Sequence, residues 1–310
     1  MPDLPKREVI VVGGGLAGLS AAIYLGRARR DTLVIDRGKS MARWEPDVQN
    51  YLGFPEGIGG EELVERGRNQ ARRYEVDFVE DDVEHATLEK DLFVLHGKQA
   101  YAARRVLLAT GIFHVPPEVD GVTDCLGKSL FFCKDCDGYR VQGKHVAIYG
   151  ANKEAAEYAL ALLVYTPSVA VITDGHDPRW DETHSNWLQE YKIPVYRQPI
   201  VCVKRNGDQI QGLCFSDGAE LKLDALFTTR GNIYINKLAK ALGAEVDAQG
   251  EIVVDPDCAT SVRGLYAAGC VTPANCQMII AAGHGAVAAQ AINRDLFEES
   301  LRTHSLRRFR

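Results

Sequence analysis

Two cysteines separated by two residues, with an acid directly behind the second, carry the most evident chemistry of this chain. They are Cys133, Cys136 and Asp137 in FFCKDCDGYR, residues 131–140. Such a pair is a redox disulfide, half of a metal site or two unrelated thiols. Eight cysteines among 310 residues are too few for a disulfide scaffold. In a reducing compartment a close pair is more often catalytic or metal-binding than structural.

Composition and charge argue against two classes of partner. The net charge of −6 lacks the basic excess expected of a nucleic-acid-binding protein. No apolar run approaches the roughly 20 residues of a transmembrane helix. The start, MPDLPKREVIVVGGG, does not have the charged, apolar and small-residue regions of a signal peptide. We therefore expect a cytoplasmic protein that binds neither nucleic acid nor membrane.

The elements that must position the cysteines follow an alternating strand and helix pattern. REVIVVGGGLAGLSAAIYLGRARR runs from a β-branched strand through glycines into an Ala/Leu-rich helix, and TLVIDRG supplies the next strand. A second β-α-β unit starts at KHVAIYGANKEAAEYALALL and ends in SVAVITDG. Two such units predict an α/β protein with two Rossmann-like, doubly wound nucleotide-binding domains.

The first glycine loop predicts a dinucleotide site. Gly13, Gly15 and Gly18 fit G-x-G-x-x-G between a strand and a helix. The first glycine permits a tight turn, the second lets the backbone approach a pyrophosphate, and the third lets helix and strand pack closely. Asp36 ends the following strand, where an acid binds ribose hydroxyls. The motif alone does not distinguish FAD from NAD.

Four segments together resemble the low-molecular-weight thioredoxin reductase family. They are RGLYAAGCVTPANCQMIIAAGHGAVAAQAI near the end of the chain, ATG at 109–111, NYLGFPEGIGGEEL at 50–63, and the C-x-x-C-D-G of the cysteine stretch. The resemblance implies a homodimeric flavoprotein whose FAD is bound by both ends of the chain. It adds to the expected FAD contacts a set of residues outside the glycine loop: Asn50, Thr110, Gly111, Gly269, Cys270, Gln277, Met278 and Ile279.

The same resemblance implies that the second domain is inserted into the first. We expect residues 1–117 and 249–310 to form the FAD domain and residues 118–248 to form the central domain with the dithiol. The segments 115–117 and 243–250, which contain Pro and Gly, are candidate hinges, because one dithiol must meet both the flavin and a substrate.

A redox disulfide becomes the favoured interpretation of the cysteine pair. A zinc site needs four ligands, and no second C-x-x-C or H-x-x-x-H lies at a suitable spacing. By the resemblance, Cys136 faces the flavin and Cys133 exchanges with an external disulfide. Asp137 is expected to protonate a departing thiolate. The alternative for Asp137 is a turn residue before Gly138.

The second glycine loop departs from the family pattern. It reads GANKEA at 150–155, so Asn152 replaces the middle glycine and Glu154 places a negative charge at the helix start. After the next strand, Asp174 and Asp177 stand where the family has a basic H-R-R cluster for the 2′-phosphate of NADPH. We expect that nicotinamide binding has been lost. The open alternative is an NADH-linked reductase that uses Asp174.

Cysteines outside the pair carry weaker signals. Cys270 replaces the acid that usually follows A-A-G in the closing FAD segment, and its thiol is expected to serve as a weak donor there. Cys270 and Cys276 are interpreted as two buried small side chains rather than a second redox pair. No role is assigned to the remaining four: Cys125, Cys202, Cys214 and Cys258.

These features predict an FAD-dependent disulfide oxidoreductase that passes electrons through Cys133 and Cys136 to thioredoxin or another protein disulfide, without NADPH. Within the family the chain looks most like the branch without an NADPH signature, such as the cyanobacterial deeply rooted thioredoxin reductases. That interpretation uses the tail RTHSLRRFR, in which His304 or Phe309 is a candidate to cover the flavin. Ferredoxin is a candidate electron donor. The alternatives are a dithiol oxidase that reduces oxygen, a flavin-holding sensor and an NAD(P)H-dependent thioredoxin reductase.

Overall fold

The computed structural model describes residues 5–307, so Phe309 lies outside the described part. The strands are β1 (Lys6–Val12), β2 (Thr32–Asp36), β3 (Asp77–Glu80), β4 (His85–Glu89), β5 (Leu92–His96), β6 (Ala100–Leu108), β7 (Ile112–His114), β8 (Leu130–Phe131), β9 (Val146–Tyr149), β10 (Val169–Ile172), β11 (Val195–Tyr196), β12 (Ile200–Asn206), β13 (Gln209–Phe215), β14 (Glu220–Lys222), β15 (Ala225–Thr228), β16 (Asn232–Tyr234) and β17 (Leu265–Ala267). The helices are α1 (Leu16–Arg27), α2 (Gly60–Arg72), α3 (Lys134–Asp137), α4 (Lys153–Leu162), α5 (Glu182–Glu190), α6 (Lys237–Ala241) and α7 (Met278–Arg302).

The chain forms two compact units. Unit 1 contains the residues up to Phe113 and those from Ile233 onward, and unit 2 contains His114–Asn232. Both units are built on parallel strands with helical connections, which confirms the predicted α/β fold of two doubly wound domains, the second inserted into the first.

Unit 1 has a sheet in the order β3-β2-β1-β6-β5-β4, with β17 also paired to β6. The strands β3, β2, β1, β6 and β17 run parallel, whereas β4 and β5 extend the sheet antiparallel. Val9, Ile10 and Val11 of β1 are fully buried, because helices and loops cover both faces of the central strands. The first glycine loop therefore follows the centre of this sheet.

The helices α1 and α7 pack closely through small residues. A Cβ added at Gly285 of α7 would lie 2.0 Å from the carbonyl oxygen of Ala17 in α1. Ala21 and Ala22 of α1 and Ala288 of α7 are buried in the same core. This contact packs the N-terminal part of α7 against the start of α1. Among residues 5–307, no helix combines the length and the apolar character needed to span a bilayer.

Unit 2 has a parallel sheet in the order β11-β10-β9-β15-β8 and an antiparallel sheet in the order β12-β13-β14. The helix α4 packs on the parallel sheet through Ala155, Ala156, Ala159 and Leu162, which are all fully buried. The dithiol follows β8 at the edge of this sheet, and the second glycine loop follows β9.

The return from unit 2 to unit 1 lies earlier in the chain than the predicted boundary at residue 248. Residues 233–248 pack with unit 1, because Leu238 and Ala239 of α6 join a core that includes Ile10 and Leu265. The candidate hinge at 243–250 is therefore inside unit 1. The chain passes from unit 1 to unit 2 within β7 and returns within β16.

Candidate functional site

The first glycine loop has a backbone that excludes side chains at two of the predicted positions. Gly13 has a φ of +109°, and a Cβ there would lie 2.3 Å from the carbonyl oxygen of Ala109. A Cβ at Gly18 would lie 1.9 Å from the carbonyl oxygen of Gly13. These distances are far below van der Waals contact, so this turn forms only with glycine at both positions.

The start of α1 suits a bound phosphate group. Gly15 is the residue that precedes the helix, no side chain caps the helix there, and its first turn has no acid. A Cβ at Gly15 would lie 3.2 Å from the Ser40 hydroxyl oxygen, so the missing side chain leaves a shallow cradle. The first N–H groups of a helix have no partner within the helix and attract anions. The loop therefore fits the pyrophosphate of FAD.

Asp36 lies at the mouth of the same loop. Its side chain is almost fully buried, and a Cβ at Gly14 would lie 2.5 Å from its Oδ2. Arg68 of α2 donates a hydrogen bond from Nη2 to this Oδ2 at 2.8 Å. The sequence did not identify Arg68, because α2 carries several arginines and no spacing distinguishes this one.

The closing segment reaches the same edge of the sheet. Ala268 N donates a hydrogen bond to the carbonyl oxygen of Leu108, so Thr110 and Gly111 after β6 lie beside Gly269 after β17. Gly269 has a φ of +81°, and a Cβ there would lie 2.9 Å from the Cβ of Ala17. The Thr110 hydroxyl donates to the carbonyl oxygen of Ile235 at 2.6 Å. The hydrogen bond of the Thr110 side chain is therefore made to the segment in which the chain returns to unit 1.

Two predicted contacts from distant parts of the chain meet directly. Asn50 Nδ2 donates a hydrogen bond to Gln277 Oε1 at 3.1 Å, across a separation of 227 residues. Met278 begins α7 and packs on Leu19 and Val64, whereas Ile279 is 42% exposed. The structure thus brings the predicted FAD residues of both chain ends together within unit 1.

The prediction that the Cys270 thiol donates a hydrogen bond to FAD is wrong. It forms a disulfide with Cys276, with a Cα–Cα distance of 4.8 Å, so it has no S–H proton to donate. The interpretation of these cysteines as two separate buried side chains is wrong, since Cys276 is exposed. Cys202 and Cys214, to which no role was assigned, also form a disulfide, between β12 and β13.

The two cysteines without a bond are buried. Burial raises the pKa of the Cys258 thiol to about 11 and also raises that of Cys125. A thiol with a raised pKa has little thiolate at neutral pH and reacts slowly. These two side chains are therefore structural.

The dithiol lies at the start of the short helix α3 in unit 2. Cys133 and Cys136 form a disulfide, with a Cα–Cα distance of 5.3 Å. Cys133 precedes the helix, and its Sγ accepts a hydrogen bond from Cys136 N at 3.1 Å. Both cysteines are half-buried. The pair is thus a disulfide within one turn of the chain, as the redox interpretation requires.

Asp137 is buried and ion-paired. Its Oδ1 accepts a hydrogen bond from Arg140 Nη1 at 2.8 Å, and Arg140 also donates to the carbonyl oxygen of Gly127. The Arg140 guanidinium lies 4.9 Å from the centre of the Phe131 ring. Arg140 stands in the quoted cysteine stretch, three residues after Asp137, and this i,i+3 spacing was the signal that sequence reasoning did not use.

The side chain of Asn152 fills the second glycine loop. Asn152 Oδ1 accepts hydrogen bonds from Ala155 N at 3.1 Å and from the Thr229 hydroxyl at 2.8 Å, and Asn152 Nδ2 donates to the Thr229 carbonyl oxygen. Arg179 N donates to the carbonyl oxygen of Ala151 at 2.6 Å, so the segment after β10 pairs with the loop. The start of α4 is capped where that of α1 is not.

The carboxylate of Asp174 is also engaged. Its Oδ2 accepts from the Tyr149 hydroxyl at 2.5 Å, and its Oδ1 accepts from Ile200 N at 2.6 Å. Burial and this contact with Asp174 raise the pKa of Tyr149. Both oxygens of Asp174 therefore hold unit 2 together, whereas Asp177 is exposed.

Known proteins similar to this chain cover almost its whole length. The family model described as pyridine nucleotide-disulphide oxidoreductase matches residues 7–290. A thioredoxin reductase of Treponema pallidum (strain Nichols) is 33% identical over 92% of this chain and 95% of its own length. The crystal structure of a putative thioredoxin reductase TrxB from Bacillus anthracis matches with a TM-score of 0.88 and 30% identity, over 94% of this chain and 99% of that one.

The crystal structure of HlmI also matches, with a TM-score of 0.91 and 27% identity, over 96% of this chain and 95% of that chain. These likenesses confirm the resemblance to thioredoxin reductases. The chain is an FAD-dependent oxidoreductase, as the sequence predicts.

Replacement of Gly13 by alanine is expected to weaken FAD binding at least about tenfold, because the added Cβ displaces the Ala109 carbonyl from the turn. The measurement is the FAD dissociation constant, from titration of apoprotein followed by flavin fluorescence. Gly38→Ala is the matched control: Gly38 also has a positive φ but nothing within 4 Å of an added Cβ. Equal effects of the two substitutions on the FAD dissociation constant would contradict the fit of the first glycine loop to the pyrophosphate.

Proposed function

The chain belongs to the pyridine nucleotide-disulphide oxidoreductase family, and we propose that it reduces the disulfide of a thioredoxin without a nicotinamide cofactor. The choice of substrate follows the relatives named thioredoxin reductase. The chain then belongs to the branch without an NADPH signature, of which the cyanobacterial deeply rooted thioredoxin reductases are an example. One observation carries the proposal: the start of α1 is open, whereas the start of α4 is capped by Asn152.

In this proposal, unit 1 holds FAD. The loop of Gly13, Gly15 and Gly18 binds the pyrophosphate, and the carboxylate of Asp36 accepts hydrogen bonds from ribose hydroxyls. The rest of the cofactor is met by the predicted residues of both chain ends: Asn50, Thr110, Gly111, Gly269, Gln277, Met278 and Ile279. When bound, FAD supplies two-electron transfer to a disulfide.

The dithiol carries out the exchange with thioredoxin. The Cys133 thiolate attacks one sulfur of the thioredoxin disulfide, which breaks and leaves a thiolate that takes up a proton. The Cys136 thiolate then attacks Cys133 Sγ and releases the second thioredoxin thiol. Two electrons have moved to thioredoxin, and the Cys133–Cys136 disulfide is restored. Asp137, next to Cys136, passes the proton to the departing thiolate, and Arg140 holds its carboxylate in place.

The capped start of α4 argues against NADPH and NADH. A pyrophosphate needs unpartnered N–H groups at a helix start, and here Asn152 accepts the bond from Ala155 N. Glu154 adds a negative charge to the first turn of α4. A Cβ at Gly150 would lie 2.1 Å from the Thr229 hydroxyl, so this part of the loop has no space to spare.

At the ribose end of a nicotinamide site, the carboxylate of Asp174 is already used by the fold. Both of its carboxylate oxygens accept hydrogen bonds within unit 2, which weakens the NADH alternative. The electrons then come from another carrier, and reduced ferredoxin is the donor that we propose. We also propose that the enzyme acts in the cytoplasm as a homodimer.

Neither NADPH nor NADH is expected to reduce the bound flavin rapidly, because neither dinucleotide finds a phosphate site at α4. The measurement is anaerobic stopped-flow absorbance of the flavin near 450 nm, with each nucleotide and reduced ferredoxin offered in turn. Dithionite is the positive control, since it reduces an accessible flavin without a binding site.

Rapid bleaching by either nucleotide at micromolar concentration would overturn the cofactor part of the proposal. Formation of hydrogen peroxide with a small dithiol in air, without turnover of thioredoxin, would instead identify a dithiol oxidase.

The substitution Asp137→Asn is expected to slow thioredoxin reduction about a hundredfold, because proton transfer typically contributes a factor of at least this size. The measurement is a single turnover of dithionite-reduced enzyme with oxidised thioredoxin, recorded as a function of pH. Asp135→Asn is the matched control, since Asp135 lies in the same helix and its side chain is 75% exposed. Equal rates and equal pH profiles for the two variants would remove Asp137 from the mechanism.

A further inference from the structure

The disulfide between Cys270 and Cys276 lies within the proposed FAD-binding segment. Cys270 directly follows Gly269, and Cys276 directly precedes Gln277, so each cysteine adjoins a predicted FAD contact. The bond joins the two ends of the loop 270–276, which connects β17 to α7. The disulfide therefore closes the loop that leads into the first turn of α7.

The two halves of this loop are held differently. Val271 and Thr272 are fully buried, the carbonyl oxygen of Val271 accepts from Ile252 N at 2.8 Å, and the Thr272 hydroxyl donates to Gly269 O. In contrast, Asn275 and Cys276 are exposed. The first half is therefore anchored in the core, whereas the cysteine of the second half is exposed.

The exposed half leads directly into the contacts at the start of α7. Gln277 N donates to the carbonyl oxygen of Asn275, and Gln277 Oε1 accepts from Asn50. A displacement of Cys276 would therefore act on Gln277 and on its hydrogen bond with Asn50.

Cys276 is also the more accessible of the two cysteines. It is exposed, whereas Cys270 is half-buried. It lies just ahead of the 25-residue helix α7, whose N-terminus stabilises a thiolate that forms there. Cys125 and Cys258 are both buried, which distinguishes them from the exposed Cys276.

We propose that Cys270 and Cys276 form a second exchangeable disulfide, separate from the catalytic pair, and that its reduction by a dithiol loosens the hold on FAD. A thiolate of the dithiol attacks Cys276 Sγ, the bond to Cys270 breaks, and the Cys270 thiolate takes up a proton. The second thiol of the reductant then attacks its own mixed-disulfide sulfur and releases Cys276, which takes up the second proton. Two electrons move from the dithiol, which leaves as a disulfide.

This inference rests on the proposed placement of FAD, but it is independent of the electron donor and of Cys133 and Cys136. The experiment therefore uses a Cys133→Ser/Cys136→Ser variant as holoprotein, in which dithiothreitol cannot reduce the flavin through the catalytic pair. Mixtures of reduced and oxidised dithiothreitol set the thiol state. Alkylation and mass spectrometry report the fraction of Cys270 and Cys276 that is reduced, and released FAD is followed by its fluorescence.

Opening of the Cys270–Cys276 bond is expected to be reversible and to accelerate FAD release about tenfold, in line with the loss of a short loop closure. Adding Cys276→Ser is expected to give the fast release without any reductant. Adding Cys202→Ser/Cys214→Ser to the same variant is the control, because that disulfide joins two strands that are hydrogen-bonded in register within unit 2.

Three results would overturn the proposal. The first is a Cys270–Cys276 bond that stays closed after the Cys202–Cys214 bond has been reduced. The second is an FAD release rate that does not change when the bond opens. The third is an equal acceleration of release by the control substitutions. None of these results bears on the thioredoxin reaction, since the catalytic pair is absent throughout.

Discussion

The first turn of α1 leaves its backbone N–H groups without a side-chain partner, and this one constraint determines much of unit 1. It requires glycine where the chain leaves β1, because Gly13 and Gly18 sit against backbone oxygens that no Cβ can approach. It also requires that nothing else fills the cradle. The close packing of α7 on α1 through Gly285 brings the closing segment to the same place. An anion held there would thus meet both ends of the chain.

Unit 2 has the same strand-loop-helix arrangement, but there a side chain caps the start of the helix. Asn152 caps α4 and ties the loop to Thr229, so the N–H group of Ala155 is bonded within the fold. Asp174 likewise uses both carboxylate oxygens within the unit. The unit has kept its sheet and presents the dithiol at the end of β8. If nicotinamide binding is lost as we propose, the fold is retained without it, because such binding depends on a few side chains and not on the architecture.

The sequence predicts features that depend on local spacing. The turn at Gly13, the helix that follows it, and the Cys133–Cys136 pair are each specified within a few residues, so their types and order suffice. The sequence also shows that Asn152 replaces the middle glycine of the second loop. That Asn152 caps a helix, however, depends on where α4 begins. In contrast, Cys202 and Cys214 pair only because β12 and β13 meet in a particular register. A separation of 12 residues does not reveal that register.

The sequence did not predict the end of unit 2 at Asn232 for a similar reason. The segment 243–250 looks like a linker because it is rich in Gly and polar residues, but α6 before it belongs to the core of unit 1 through Leu238. Burial against distant strands, such as β17, outweighs local composition there. The Cys270–Cys276 bond could be predicted only in part: the two cysteines are close in sequence, but disulfides are rare in a reducing compartment.

The proposed reaction depends on thiol–disulfide exchange between Cys133 and a thioredoxin disulfide. A trapping experiment with the reduced Cys136→Ser variant, which cannot resolve a mixed disulfide, tests this exchange. Incubation with oxidised thioredoxin should yield a covalent one-to-one adduct that joins Cys133 to thioredoxin and dissociates on reduction. No adduct, or an adduct through any other cysteine of this chain, would contradict the account.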